Sequence, residues 1–148
     1  MRISSKGRYA LAAVISMAQQ HSSGENVTVI SISGKLGISK IYLEQAFSLL
    51  KRGGLVASVK GAQGGYQLTR MPGQISVFDV LSAVDSALFE KSEDTVKENA
   101  PDIETAMQLL AFETLDKSVK ETLHLIKLSD LVSEVERQKT DSALMFYI

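Results

Sequence analysis

Residues 37–68, GISKIYLEQAFSLLKRGGLVASVKGAQGGYQL, constrain the fold of this chain more than any other stretch. Ser39 stands before apolar residues at helical spacing, which predicts a capped helix over 40–52. Gly53 and Gly54 end it in the manner usual for helix C-termini. Two short β-like runs come next, 55–59 and 66–68, and the six glycine-rich residues between them predict a hairpin. The inward positions expected on the helix are Ile41, Ala46 or Gln45, and Leu49. A basic helix followed at once by a tight hairpin leaves few architectures open.

The flanking sequence narrows them. A helix is expected over 5–20 and a loop over 21–26. A short helix follows from a Thr28 cap to about Leu36, although Gly34 is unfavourable inside it. Gly37 makes the turn into the next helix. After the hairpin, Pro72-Gly73 is a turn, and Ser76 caps a helix whose face is Val77, Val80, Leu81 and Val84. Residues 86–101, SALFEKSEDTVKENAP, are polar, acidic and weakly periodic, and are expected to be a mobile connector. A longer helix is expected over 102–127, with Phe112, Leu115, Val119, Leu123 and Ile126 recurring at three- and four-residue spacing; Met107, Leu109 and Leu110 widen that stripe. A long amphipathic helix beyond a compact unit needs a partner for its apolar face, and a second copy of the chain is the simplest one. Ser129 is expected to cap a last helix over 130–139, before the apolar tail DSALMFYI. The division expected is therefore a compact unit over 1–85, a connector over 86–101 and dimerisation helices over 102–148.

Charge divides along the same line. Residues 1–70 hold nine Lys/Arg and two acids, whereas residues 71–148 hold seven Lys/Arg and fifteen acids. A half-chain near +7 beside one near −8 suggests a polyanion-binding module joined to a part that must avoid polyanions. The 148 residues contain no cysteine, which excludes disulfides and thiolate metal ligation and suits a cytoplasmic location. No apolar run is long enough to span a membrane. The N-terminus resembles a signal peptide only superficially, because it carries a helical stripe and no clean cleavage region. His21 and His124 are far apart in sequence and are expected to be surface or packing residues. No nucleophile elbow, phosphate-binding loop or paired-histidine zinc motif is present, so an enzyme is not expected.

Helix, helix, glycine turn, helix and two-stranded hairpin is the order of a winged helix-turn-helix. The fold class expected is mainly α with a small β wing, a winged helix-turn-helix domain followed by a long dimerisation helix. The third helix is narrow enough to enter a DNA major groove, and its N-terminus favours phosphate oxygens. Ser39, Lys40, Tyr42 and Gln45 can donate to phosphates or bases. Glu44 can accept from a cytosine amino group or pair with a nearby cation, and the sequence leaves both open. Gly61, Gly64 and Gly65 let the hairpin approach a sugar–phosphate backbone without Cβ clashes, and Lys60 can reach a phosphate or the minor groove. Lys6 and Arg8 in the basic N-terminal segment complete the candidate set. The expected partners are double-stranded DNA, a second copy of the chain, and an effector that is either a protein or a small metabolite. No metal and no cofactor is expected.

Three segments resemble the Rrf2 family of bacterial transcription regulators: MRISSKGRYAL, ISKIYLEQAFSLLKRGGLVASVKGAQGGYQL and ISVFDVLSAVD. YLEQ, the glycine-pair helix end and the VKG…GGY wing are the specific elements, and IKLSDLV over 126–132 looks like the end of the family's dimerisation helix and the start of the next. The resemblance implies a homodimeric winged-helix protein, and a repressor, acting on a pseudo-palindromic operator. It assigns DNA contacts to Tyr42, Glu44 and Gln45 and puts Lys60 where relatives often carry a wing arginine. Family members that bind an iron–sulfur cluster place three cysteines between the helix after the wing and the long helix. This chain has none there, so a cluster-free regulator is expected. The competing expectation is an interaction protein of the same fold that has lost DNA binding and acts through protein partners.

Overall fold

The structure, a computed structural model, describes residues 2–24, 26–61 and 64–146. Helix α1 (Ser5–Gln19) starts where the Ser4 side chain accepts from the Gly7 N–H. Its Ala10, Ala13, Val14 and Met17 enter the core. Helix α2 (Val29–Leu36) is capped by Thr28, whose hydroxyl accepts from the Ser31 N–H, and ends on Gly37 at φ 66°. That left-handed conformation is cheap only for glycine. The Ser33 hydroxyl donates to the Ile38 carbonyl at 2.7 Å and braces the turn into α3 (Lys40–Arg52).

Helix α3 presents the expected inward face only in part: Ala46 is buried and Leu49 packs half-buried against the core, but Ile41 does not turn inward. Leu43, Ala46, Phe47 and Leu50 are buried, whereas Ile41 is 66 % exposed. Apolar residues occupy both stripes of the helix, and packing against α1 selects the one that brings Phe47 inward. Ser39 holds the N-cap position, but its side chain makes no capping hydrogen bond. Its carbonyl accepts from the Leu43 N–H instead.

Strands β1 (Val56–Ser58) and β2 (Tyr66–Leu68) pair antiparallel, Val56 opposite Leu68 and Ser58 opposite Tyr66. The first strand is shorter than the expected 55–59 because the ladder loosens towards the glycines. The Val59 N–H still donates to the Gly65 carbonyl at 2.9 Å. Ala62 and Gln63, part of the expected hairpin tip, lie outside the described residues, as do Glu25 of the loop over 21–26 and the last two residues of the apolar tail. The wing is fixed to the body at its base: Val27 and Tyr66 exchange two backbone hydrogen bonds, and Tyr66 stacks on Phe47 with ring centroids 4.6 Å apart.

Helix α4 (Val77–Val84) begins with a capping box in which Ser76 and Asp79 satisfy each other's backbone N–H groups. Val77, Val80, Leu81 and Val84 are its buried face, as expected from their spacing. The connector is tied to the long helical run beyond it. The Thr95 and Val96 N–H groups donate to the carboxylate of buried Glu104 at 2.9 and 2.7 Å.

That run comprises α5 (Pro101–Ala106), a wide π turn (Met107–Phe112) and α6 (Glu113–Leu125). Along α6 no residue is buried. Helix α7 (Leu128–Met145) starts earlier and runs further than the expected 130–139, and Ser129 lies inside it rather than capping it. The reason is a backbone clamp: Val77 N–H donates to Ile126 and Leu128 N–H to Ile75, both at 2.9 Å. These bonds fix the chain around Lys127, whose own N–H donates to the Asp130 carboxylate. Leu128 is fully buried, and Leu131 and Val132 pack on the same core, so the first turn of α7 joins the N-terminal unit. Among the described residues no helix is long and apolar enough to cross a membrane.

Candidate nucleic-acid interface

The first two turns of α3 carry the candidate side chains. Lys40, Tyr42, Glu44 and Gln45 are all exposed, whereas Leu43 and Phe47 are buried. Ser39 is exposed just before them, and with no side chain closing the cap the first-turn N–H groups are left to outside acceptors. Lys40 and Glu44 approach to 3.7 Å across one helical turn, both about half-exposed. A pair in that setting is worth a few tenths of a kcal/mol (~0.3–0.5), so it does not commit Glu44 to a structural role.

Helix α1 supplies the second edge. The Tyr9 ring lies 5.9 Å from that of Tyr42, which brings the start of α1 alongside the start of α3. Lys6 joins Ile41, Glu44, Gln45 and Ser48 around a shallow hollow. Arg8 is exposed and donates to the Ser5 hydroxyl at 3.1 Å. Lys6 therefore shares a surface with the α3 residues, while the hydrogen bond of Arg8 is to Ser5 on its own helix.

The wing supplies the third edge. Lys60 and Gly61 come after β1 and are exposed. The closing glycines are needed for shape: Gly64 has φ 64° and Gly65 φ 122°, and a Cβ on Gly65 would stand 3.0 Å from the Val27 carbonyl oxygen. The Val27–Tyr66 bridge and the Tyr66–Phe47 stack run from the wing to the inner face of α3. The base of the wing is thus anchored to the helix it flanks. Sequence reasoning missed Ile41 as a surface residue. Its signal was the second apolar stripe formed by Leu43, Phe47 and Leu50, which could have taken its place inside.

The residues expected to dimerise lie on or next to α6. Phe112, Val119, Leu123 and Ile126 are half-buried in the single chain, and Leu115 is 61 % exposed. His124 stacks on Phe78 of α4, centroids 3.9 Å apart, which accounts for it as a packing residue.

A family profile described as Rrf2, iron-dependent transcriptional regulator, matches residues 3–134. The HTH-type transcriptional regulator IscR of Xenorhabdus nematophila is 39 % identical over 136 residues, covering 92 % of this chain and 82 % of that protein. The IscR of Cronobacter sakazakii is 51 % identical over 88 residues, 60 % of this chain but only about half (54 %) of its own length. Among solved structures, CymR, the global cysteine regulator of B. subtilis, superposes with a TM-score of 0.73 at 32 % identity, covering 90 % of this chain and 98 % of that one. The IscR of T. potens superposes with a TM-score of 0.71 at 33 % identity, covering 93 % and 90 %. These relatives are regulators of transcription, not enzymes. With its mostly helical body, two-stranded wing and a profile match across most of its length, the chain belongs to the Rrf2 family of winged-helix transcriptional regulators.

Proposed function

We propose that the chain binds double-stranded DNA sequence-specifically as a homodimer, places α3 in the major groove of each half of a pseudo-palindromic operator, and represses transcription from it. The observation that carries this reading is one surface: the exposed first turns of α3, Lys6 beside them, and a wing anchored at its base with Lys60 and Gly61 exposed after β1, all in the basic half of the chain. Lys40, Lys6 and Lys60 supply phosphate contacts; Tyr42, Gln45 and Glu44 are the base-reading side chains. The second copy is needed because no residue of α6 is fully buried in the single chain and Leu115 stands 61 % exposed beside the half-buried Val119 and Leu123.

The signal that such a regulator would answer is proposed to be a protein or small metabolite rather than an iron–sulfur cluster. Thiolates are the normal cluster ligands and the chain has no cysteine. Among the described residues no group of three or more His, Cys, Asp or Glu is placed to hold a metal ion. The donor set therefore does not fit the cluster that some relatives hold. A cleft of about 280 Å³ lined by Lys91, Asp94, Lys97, Glu104 and Gln108 is where a small effector would meet the connector.

Duplexes selected by the full chain from a random library, titrated by fluorescence anisotropy at several salt concentrations, test the reading. If a dimer makes about 8 phosphate contacts, log affinity should fall against log salt with a slope near −7. Equal affinity for selected and scrambled duplexes, with a slope near zero, refutes direct operator binding.

A further inference from the structure

Helix α3 has two opposed faces. Leu43, Ala46, Phe47 and Leu50 are no more than 1 % exposed. On the other side Ile41, Gln45, Ser48 and Arg52 recur at three- and four-residue spacing, and all four are exposed. Gln45, Ser48 and Arg52 each carry hydrogen-bonding atoms; Ile41 carries none. It stands in the first turn with 66 % of its surface open and lines a shallow hollow with Lys6, Glu44, Gln45, Ser48 and the half-buried Leu49.

A lone exposed apolar side chain is ordinary on a protein surface. The location is what makes this one informative. The first turn of a helix seated in a major groove is where side chains reach base edges. An isoleucine there offers no partner to a purine N7, to a carbonyl or to an amino group, and it would strip water from whichever of these it covered. The single apolar group that the major groove displays is the C5 methyl of thymine. We propose that Ile41 reads one thymine methyl in each half-site, so that operator choice rests on an apolar contact as well as on Gln45 and Glu44. This inference rests on the DNA-binding reading above. Lys6 and Gln45, which line the same hollow, can hold the flanking phosphate and base and exclude water from the methyl contact. A buried methyl group is worth about fourfold in affinity, so two half-sites together should contribute roughly fifteenfold.

The test uses a duplex that the full chain has selected from a random library. Each symmetry-related pair of thymines is replaced in turn by deoxyuridine, which removes the methyl group and leaves base pairing intact. One pair of positions should weaken binding of the wild-type chain roughly fifteenfold. The Ile41→Ser variant should bind the thymine and deoxyuridine duplexes equally, and Ile41→Val should fall between. Because Ile41 is exposed, both variants should melt at the wild-type temperature. Insensitivity of the wild-type chain at every thymine overturns the inference alone, as does an unchanged sensitivity in Ile41→Ser. Failure to prefer any duplex over scrambled DNA overturns the DNA-binding reading and this inference with it.

Discussion

Gln45 and Lys60 are both exposed polar residues, yet the proposed DNA contact would give them different work. Gln45 stands on the outward face of α3, where a side-chain amide can accept from the N6 amino group of an adenine and donate to its N7. Gln45→Ala should cost about 1–3 kcal/mol on the preferred operator and much less on altered ones, as read from a panel of single-base variants. Lys60 stands on the wing beyond β1. Lys60→Ala should weaken all duplexes alike and flatten the salt slope by about 1 per subunit. Glu104 offers a different residue-scale case. The Val96 N–H, the Gln108 side chain, the Thr95 N–H and nearby Lys97 hold its carboxyl below the ordinary 4.5, against the opposing effect of burial. Because the folded value is the lower one, the ion stabilises the connector fully above about pH 4.5 and loses that effect as pH falls through the folded value. The Thr95 and Val96 amide resonances should therefore move together on acidification, and Glu104→Gln should remove that titration. The Gln108 amide gives its N–H to Glu104 at 3.1 Å, which leaves its buried carbonyl oxygen without a partner. Turning the amide over would set two acceptors against each other, so the orphaned oxygen follows from the Glu104 contact.

At the scale of elements, the junction of α3 with α4 is the tightest constraint. Gly53 has an ordinary helical φ of −76°, so its identity is not a backbone requirement. A Cβ there would stand 2.8 Å from the Ala83 Cβ on α4. Gly53→Ala should destabilise the fold by about 1–3 kcal/mol through overpacking, and adding Ala83→Gly should recover part of that despite its own helix cost of about 1 kcal/mol. Thermal unfolding of the two variants gives the comparison. Elements whose ends are set by local chemistry were legible in the sequence. The Thr28 cap, the Gly37 turn and the Ser76–Asp79 box each depend on residues within a few positions of one another. The phase of α3 was legible only in part: Ala46 and Leu49 face the core as expected, but Ile41 competes on equal terms with Leu43, Phe47 and Leu50 until α1 is in place. The start of α7 was hidden for a similar reason. Ser129 is the better cap by composition, but the Ile75–Leu128 bond comes from 53 residues away and overrides it. The outer part of α7 buries nothing and is braced by Arg137, which reaches Glu134 and Asp141 and holds the Glu134 carboxyl down to about 2.

Across the whole molecule, the proposed dimer would cover what one chain leaves open. The core gathers α1, α3, α4, the wing base and the first turn of α7, and α6 stands outside it with no buried residue. The clamp at Ile126 and Leu128 ties the end of α6 to the N-terminus of α4, so the direction of α6 is fixed by the body that carries α3. A second copy seated along α6 would thereby set the spacing between the two α3 helices, and with it the spacing of the operator halves. A charge placed in that seam should separate the copies, because an unpaired buried carboxylate costs several kcal/mol. Leu115→Asp and Val119→Asp should each sediment as monomers while keeping the wild-type helical content, since neither side chain belongs to the buried core. The monomer keeps its own reading surface but loses the second, so affinity for a full operator should fall by about 10²–10⁴. Its salt slope should also halve, from near −7 to about −3.5, as the phosphate contacts of one half-site are lost. Those two readouts separate loss of dimerisation from damage to α3, because a damaged reading helix would lower affinity with the sedimentation coefficient unchanged. An intact dimer in both variants would move the contact surface away from α6, towards the exposed Leu109 and Leu110 of the preceding π turn.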